Sequence, residues 1–234
     1  MHRGDPRLGE PRPDLVPPYH RRVRLFTAVY PDVAALAHLD LALGGVGGPA
    51  VADPGAGLRW VPRAQRHVTL AFHGEVPDGA VPGYVDALTE VLAATAPFQL
   101  ALAGSGTFGG RTLWVGLTED VDALRALSRR VATAAEDAGI GAADRAGGRP
   151  HLTVARASSA LVGADRARER RARRGRTPSS PGSPFAGWAR ALAVYRGPSW
   201  TVDAVHVVHS RLGAGRSGGP AHEDAAVLAL PSGP

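Results

Sequence analysis

The sequence contains no cysteine and no lysine. The first absence excludes disulfides, thiolate catalysis and sulfur-ligated metals. The second makes the net charge of +6 the work of arginine alone. Arginine forks match phosphate oxygens, and a positive balance favours polyanionic partners. Enrichment in Ala, Gly, Arg and Pro explains much of the choice of arginine over lysine, so the sign of the charge carries more than its identity. No stretch approaches the ~20 apolar residues needed to cross a bilayer. Residues 1–22 are rich in Pro and Arg and lack the apolar segment of a secretory signal. These absences predict a soluble protein, by default cytoplasmic, with no membrane partner; they leave protein partners unknown.

With 234 residues and 44% hydrophobic composition, the chain can bury one sizeable core, as one domain or two tightly joined lobes. Residues 1–22 are expected to form a disordered leader and 23–231 the folded domain. Within it, 158–183 reads as an inserted loop with seven arginines between Arg166 and Arg176. Any RNA binding by that tract would be steeply salt-dependent and nearly sequence-blind. Patterning predicts strands at 23–30, 58–61, 66–72, 98–102, 111–117, 151–157, 199–209 and 225–230. It predicts helices opening at Pro31-Asp32 and running to 43, over 82–95, over 120–138 and over 185–195. Short links and adjacent strands favour an α+β design over a doubly wound parallel sheet.

The organising feature is a repeated pattern. His67-Val68-Thr69-Leu70 and His151-Leu152-Thr153-Val154 each place a histidine two residues before a threonine, 84 residues apart. In a strand, alternate side chains share a face, so each copy presents an imidazole beside a hydroxyl, with the two apolar residues opposite. Histidine titrates near neutrality, so one ring can hold a proton while the other accepts one. Thr69 and Thr153 can donate to non-bridging phosphate oxygens. Facing strands of this kind suit acid–base chemistry on a phosphate diester.

Other readings of these residues fit less well. His67 and His73 lie an even number of residues apart and could meet His151 at a metal, but the spacing matches no common zinc signature. Ser199, Asp203 and His206 could be imagined as a hydrolase triad, yet no nucleophile elbow is nearby. His206 and His209 read as strand-face or loop residues. Arg59, Arg63, Arg66 and Arg149 flank the motif strands and could attract RNA or simply be solvated. A non-catalytic RNA-binding module would use the same arginines and strands.

The tandem motif resembles that of the 2H phosphoesterase superfamily. With Leu58-Arg59-Trp60-Val61, Arg111 to Gly116, Gly197 to Asp203 and Ser210 to Gly213, the chain is similar from about Val23 to Leu230 to one branch. That branch is the RNA 2',3'-cyclic phosphodiesterases, historically called 2'-5' RNA ligases. The resemblance implies a bilobal α+β fold, two similar lobes of antiparallel sheet with flanking helices around a central cleft. It implies no cofactor and no metal requirement. His67 would be the general acid protonating the departing 3' oxygen, and His151 the general base activating water. Thr69, Thr153 and Arg156 would hold the phosphate of an RNA with a 2',3'-cyclic end, giving a 2'-phosphomonoester. The related activities it leaves open are opening of small cyclic nucleotides and 2'-5' ligation. Departures from the family pattern fall at Gly148 and at Ala225 or Ala226, where aromatics are common, and at His73, where an aliphatic is usual.

Overall fold

The computed structural model describes residues 21–48, 57–140, 149–158, 161, 184–215 and 219–231. The expected leader up to residue 20 and almost all of the arginine-rich tract lie outside the described residues. Among the described residues nine strands form one antiparallel sheet: β1 (Arg22–Val29), β2 (Leu58–Trp60), β3 (Val68–Pro77), β4 (Phe98–Phe108), β5 (Thr112–Glu119), β6 (His151–Ala157), β7 (Arg196–Val202), β8 (Ala204–Arg211) and β9 (Ala221–Ala229). The helices are α1 (Val33–Gly45), α2 (Val81–Leu92), α3 (Val121–Asp137) and the short α4 (Ala186–Ala191).

Local chemistry sets these boundaries. Asp32 caps α1 by accepting from the Ala35 amide at 2.7 Å, satisfying one of the donors orphaned at a helix start. Pro82 sits in the first turn of α2, where its missing N–H costs no helical bond. In α3, Leu124, Leu127, Val131 and Ala134 recur at helical spacing and are all buried.

The strand order is β7-β4-β5-β6-β3-β1-β8-β9, with β2 paired to β6. The sheet divides at its middle. β3 and β6 share a single register pair, Val68 with Leu152, whereas every other neighbouring pair shares three or more. The expected two lobes are therefore two halves of one sheet. Helices cross this seam: α1 follows β1 but packs on β7 and β4, while α3 follows β5 but packs on β3 and against α2. They cover one face with a continuous core that includes Val68 and Leu152, both without exposure. Burying two such side chains contributes about 1.5–3 kcal/mol each, which anchors the seam despite its one pair.

Several expected elements differ. The single strand predicted over 199–209 is two strands that break at Asp203. β7 and β8 are consecutive in the chain, yet five strands lie between them in the sheet. The sheet must therefore curve round until its β7 edge meets β8, and Asp203 turns that corner while its carbonyl accepts from the Leu230 amide at 2.7 Å. Val202 and Val205, three residues apart, both face the core, which one continuous strand would not allow, and Asp203 absorbs that change of phase. The helix expected over 185–195 holds only at 186–191. β4 runs on to Phe108, β3 begins at Val68 rather than Arg66, and β9 begins at Ala221.

Candidate active site

The seam positions the histidines. In an antiparallel ladder, the pairing of Val68 with Leu152 sets His67 opposite Thr153 and Thr69 opposite His151. Val68 and Leu152 point into the core, so all four polar side chains emerge on the open face. Both His-x-Thr patterns thus meet in one place, and their rings influence each other electrostatically.

Strict alternation would send Arg156, five residues past His151, to the opposite face. A β-bulge prevents this. β5 pairs Leu113 with Ala155 and Trp114 with Thr153, leaving Val154 as the extra residue. Val154 and Ala155 both turn into the core, and Arg156 returns to the face that carries His151. The same device recurs in β3, where Thr27 pairs with Ala71 and Ala28 with Thr69, leaving Leu70 extra. Leu70 and Ala71 face the core, and Phe72 joins Phe26 on the open side. A second shift in that ladder leaves His73 unpaired.

His73 consequently belongs to the other face. Its Nε2 is 2.9 Å from the Thr27 hydroxyl, which is 2.7 Å from the Tyr84 hydroxyl, and all three are buried. Burial pushes the His73 imidazole down to about 4. The even spacing from His67 to His73 therefore does not put them together, and no metal site forms between them. Among the described residues no three metal-ligating side chains cluster.

The two motif histidines are held alike. His67 donates Nδ1–H to the Gln65 carbonyl at 2.7 Å, and His151 donates Nδ1–H to the Arg149 carbonyl at 3.0 Å. Both bonds fix the neutral tautomer that leaves Nε2 with a lone pair. Each ring lies against an aromatic: His67 stacks on Phe26 at 4.7 Å and 25°, and His151 meets Phe108 edge-on at 4.7 Å and 77°. Trp114 stands 6.4 Å from His151 and carries the Arg149 guanidinium over its ring at 5.4 Å. Gly106 leaves the space that the Trp114 ring occupies; a Cβ there would overlap it.

Burial depresses both imidazoles. His67 is pushed down to about 4, chiefly by desolvation, with the Gln65 carbonyl opposing and His222, Arg156 and His151 adding to the fall. His151 is lowered by burial and then Arg156, with the Arg149 carbonyl opposing. Arg156 is thus electrostatically linked to both histidines, and to His222 as well.

His222 was not foreseen from the sequence. It lies edge-on to His67 at 5.4 Å and to Phe26 at 5.0 Å. Gln65 joins it to the first motif, since its Nε2 donates to the Pro220 carbonyl at 2.7 Å. The only available signal was the alternation of 221–229, which the expected strand start at Ala225 truncated. Phe26, Tyr30 and Phe108 were equally unmarked.

The flanking arginines have distinct fates. Arg66, only 4% exposed, is ion-paired to Asp40 and donates Nε–H to the Val61 carbonyl at 3.1 Å, so it braces the turn before His67 and is not a surface contact for RNA. Arg63 donates to the Val33 carbonyl at 2.5 Å and lies 3.7 Å from Asp40. Arg59 is exposed and opposite Arg156 in register. Ser199 donates to Glu119 at 2.7 Å and His206 is bonded to Asp224 at 3.2 Å rather than to Asp203, so the imagined triad does not assemble.

Residues 53–214, more than half of the chain, match the profile of the 2'-5' RNA ligase superfamily. An RNA 2',3'-cyclic phosphodiesterase of Geobacillus stearothermophilus is 45% identical over 101 residues, covering 42% of this chain and 32% of that protein. A protein of the same description from Aquifex aeolicus is 29% identical over 105 residues, covering 43% of this chain and 56% of that one. The matched region thus spans from 32% to 56% of these relatives' own length. Among solved structures, one from Thermus thermophilus superposes with a TM-score of 0.62 at 23% identity, covering 89% of this chain and 98% of that one. Apo E. coli LigT gives 0.60 at 18% identity with the same coverage. These likenesses concern the fold.

Proposed function

The chain belongs to the 2'-5' RNA ligase superfamily, and we propose that it hydrolyses RNA 2',3'-cyclic phosphodiester ends to 2'-phosphomonoesters without a metal. The observation that carries this is the single Val68–Leu152 pair, which gathers two imidazoles and two hydroxyls on one open face. In this reading His151 Nε2 takes a proton from water as the water oxygen attacks phosphorus. The phosphorus–3' oxygen bond breaks, and His67 Nε2 delivers a proton to that oxygen. Thr69, Thr153 and Arg156 hold the phosphate and offset charge as it builds on the non-bridging oxygens. The relatives described as RNA 2',3'-cyclic phosphodiesterases support the substrate class.

The proton on His67 needs a source, because burial keeps that ring neutral in the free protein. The bound phosphodiester is an anion, and an opposite charge within a few ångströms favours the imidazolium. Substrate binding therefore charges the acid, while the Gln65 carbonyl stabilises the charged ring from behind.

The test is a short RNA ending in a 2',3'-cyclic phosphate, incubated in EDTA with wild type, His67→Ala and His151→Ala. Conversion to a 2'-phosphate end by wild type alone is expected. Absence of conversion by folded wild-type protein would refute the proposal; equal rates in all three would assign the activity to something other than these histidines.

A further inference from the structure

Beside His67 the open face deepens into a cavity of about 270 Å³ lined by Tyr30, Ala64, His206, His222 and Asp224. Its walls reach His67 directly, through Tyr30 at 5.8 Å and His222 at 5.4 Å between ring centroids. Just below the ~300–1,000 Å³ typical of small-molecule sites, it has room for one nucleoside at most. None of its polar groups takes part in the chemistry described above.

The register brings these groups to one wall. Ser210 pairs with His222 and Val208 with Asp224, on the face that Val208 shares with Phe26. His206 donates Nδ1–H to Asp224 Oδ2 at 3.2 Å and meets Tyr30 edge-on at 4.7 Å. That bond leaves His206 Nε2 as an acceptor in the neutral ring. The Asp224 side chain is 43% exposed, so its carboxylate can be reached by a ligand. Three rings offer faces for stacking a base. Among these groups only the Asp224 carboxylate is an acceptor that cannot donate; the Tyr30 hydroxyl and the His222 ring each carry a donor as well.

Guanine is the base whose pairing edge offers two neighbouring donors, N1–H and the N2 amino group. Uracil offers one N–H between two carbonyls, which a carboxylate repels. We propose that this cavity is a nucleobase subsite for the terminal nucleotide, that it prefers guanine to uracil, and that Asp224 determines the preference. The proposal rests on the reading in which His67 faces the departing 3' oxygen, since that sets the terminal ribose and its base on the His67 side.

Two measurements test it on the full chain. One is kcat/KM for two RNAs with cyclic phosphate ends that differ only in a last G or U. The other is the calorimetric Kd of guanosine 2'-monophosphate and uridine 2'-monophosphate, which needs no turnover. Wild type is expected to favour guanine by about tenfold in both, the scale of one good bidentate pair, and Asp224→Asn to bring the two bases to near parity. Equal treatment of G and U by wild type overturns the proposal, as does a preference that survives in Asp224→Asn. Selective binding that depends on Asp224 with no turnover of either RNA would sustain the subsite and refute the phosphodiesterase reading alone.

Discussion

His67, just before β3, and His151, the first residue of β6, are each tied through Nδ1 to the carbonyl two residues upstream, and each is followed by a threonine and a bulge. Their surroundings differ. His67 lies on Phe26, which is 4% exposed, and among Tyr30 and His222. His151 meets Phe108, which is 40% exposed. Five residues past its histidine, the first strand carries Phe72 and the second carries Arg156. One arginine therefore serves both halves, and the half without it is the drier. Similar backbone ties thus hold two rings in different surroundings: burial pushes His67 down to about 4 and lowers His151 as well, so in the free protein the buried ring is the one that holds a proton less readily.

The strongest way to break the comparison is to remove either ring. His67→Ala and His151→Ala are each expected to lower kcat on a cyclic-phosphate RNA by about 10²–10⁴-fold while circular dichroism shows a retained fold. A large loss in one and a small loss in the other would show that the halves do not act as a pair. Arg156→Ala comes next, with a fall in kcat of about 10²–10³-fold, the scale of one lost charge-stabilising donor. It should also raise both imidazole pKa values, because Arg156 lowers each, and an NMR titration of the ring protons would read that directly.

The aromatic beds sharpen the contrast through stability. Phe26→Ala empties a buried site and is expected to cost about 3–5 kcal/mol in denaturant unfolding. Phe108→Ala should cost less than about 1 kcal/mol, being an exposed position without a core role. Equal costs would mean the halves are equally dry. The buried rings also make stability depend on pH. The folded-state values of His67 and His73 lie near 4, below the ordinary 6.5, so as pH falls the unfolded chain takes up protons first. Their contribution to stability is full above about pH 6.5, declines as pH falls toward 4, and is flat below. Thermal melts between pH 4 and 7 would check it, and His73→Leu should remove part of the slope.

Much of the site was legible in the sequence because the signal there is local. A histidine two residues before a threonine shares its strand face whatever the rest of the fold does. The two lobes were implied by the family resemblance, and most elements were legible from their periodicity. Arg156 could be assigned only by likeness to a family, since alternation alone points it the wrong way and the bulge that corrects it has no sequence mark. His73 misled for the same reason in reverse. Arg66 looked like a surface charge until Asp40, 26 residues away, came to meet it.

By itself the sequence determined that two His-x-Thr strands exist, which side chains of each lie together, and that arginine would supply the positive charge. Only the tertiary structure decided that the strands adjoin, because their contact is one residue pair between segments 84 positions apart. It also decided that His222 and Asp224 stand beside His67, because the sheet curves through Asp203 and carries β8 and β9 to the far side of β1. Face and spacing are properties of a backbone a few residues long; adjacency across a sheet is set by how distant apolar faces pack.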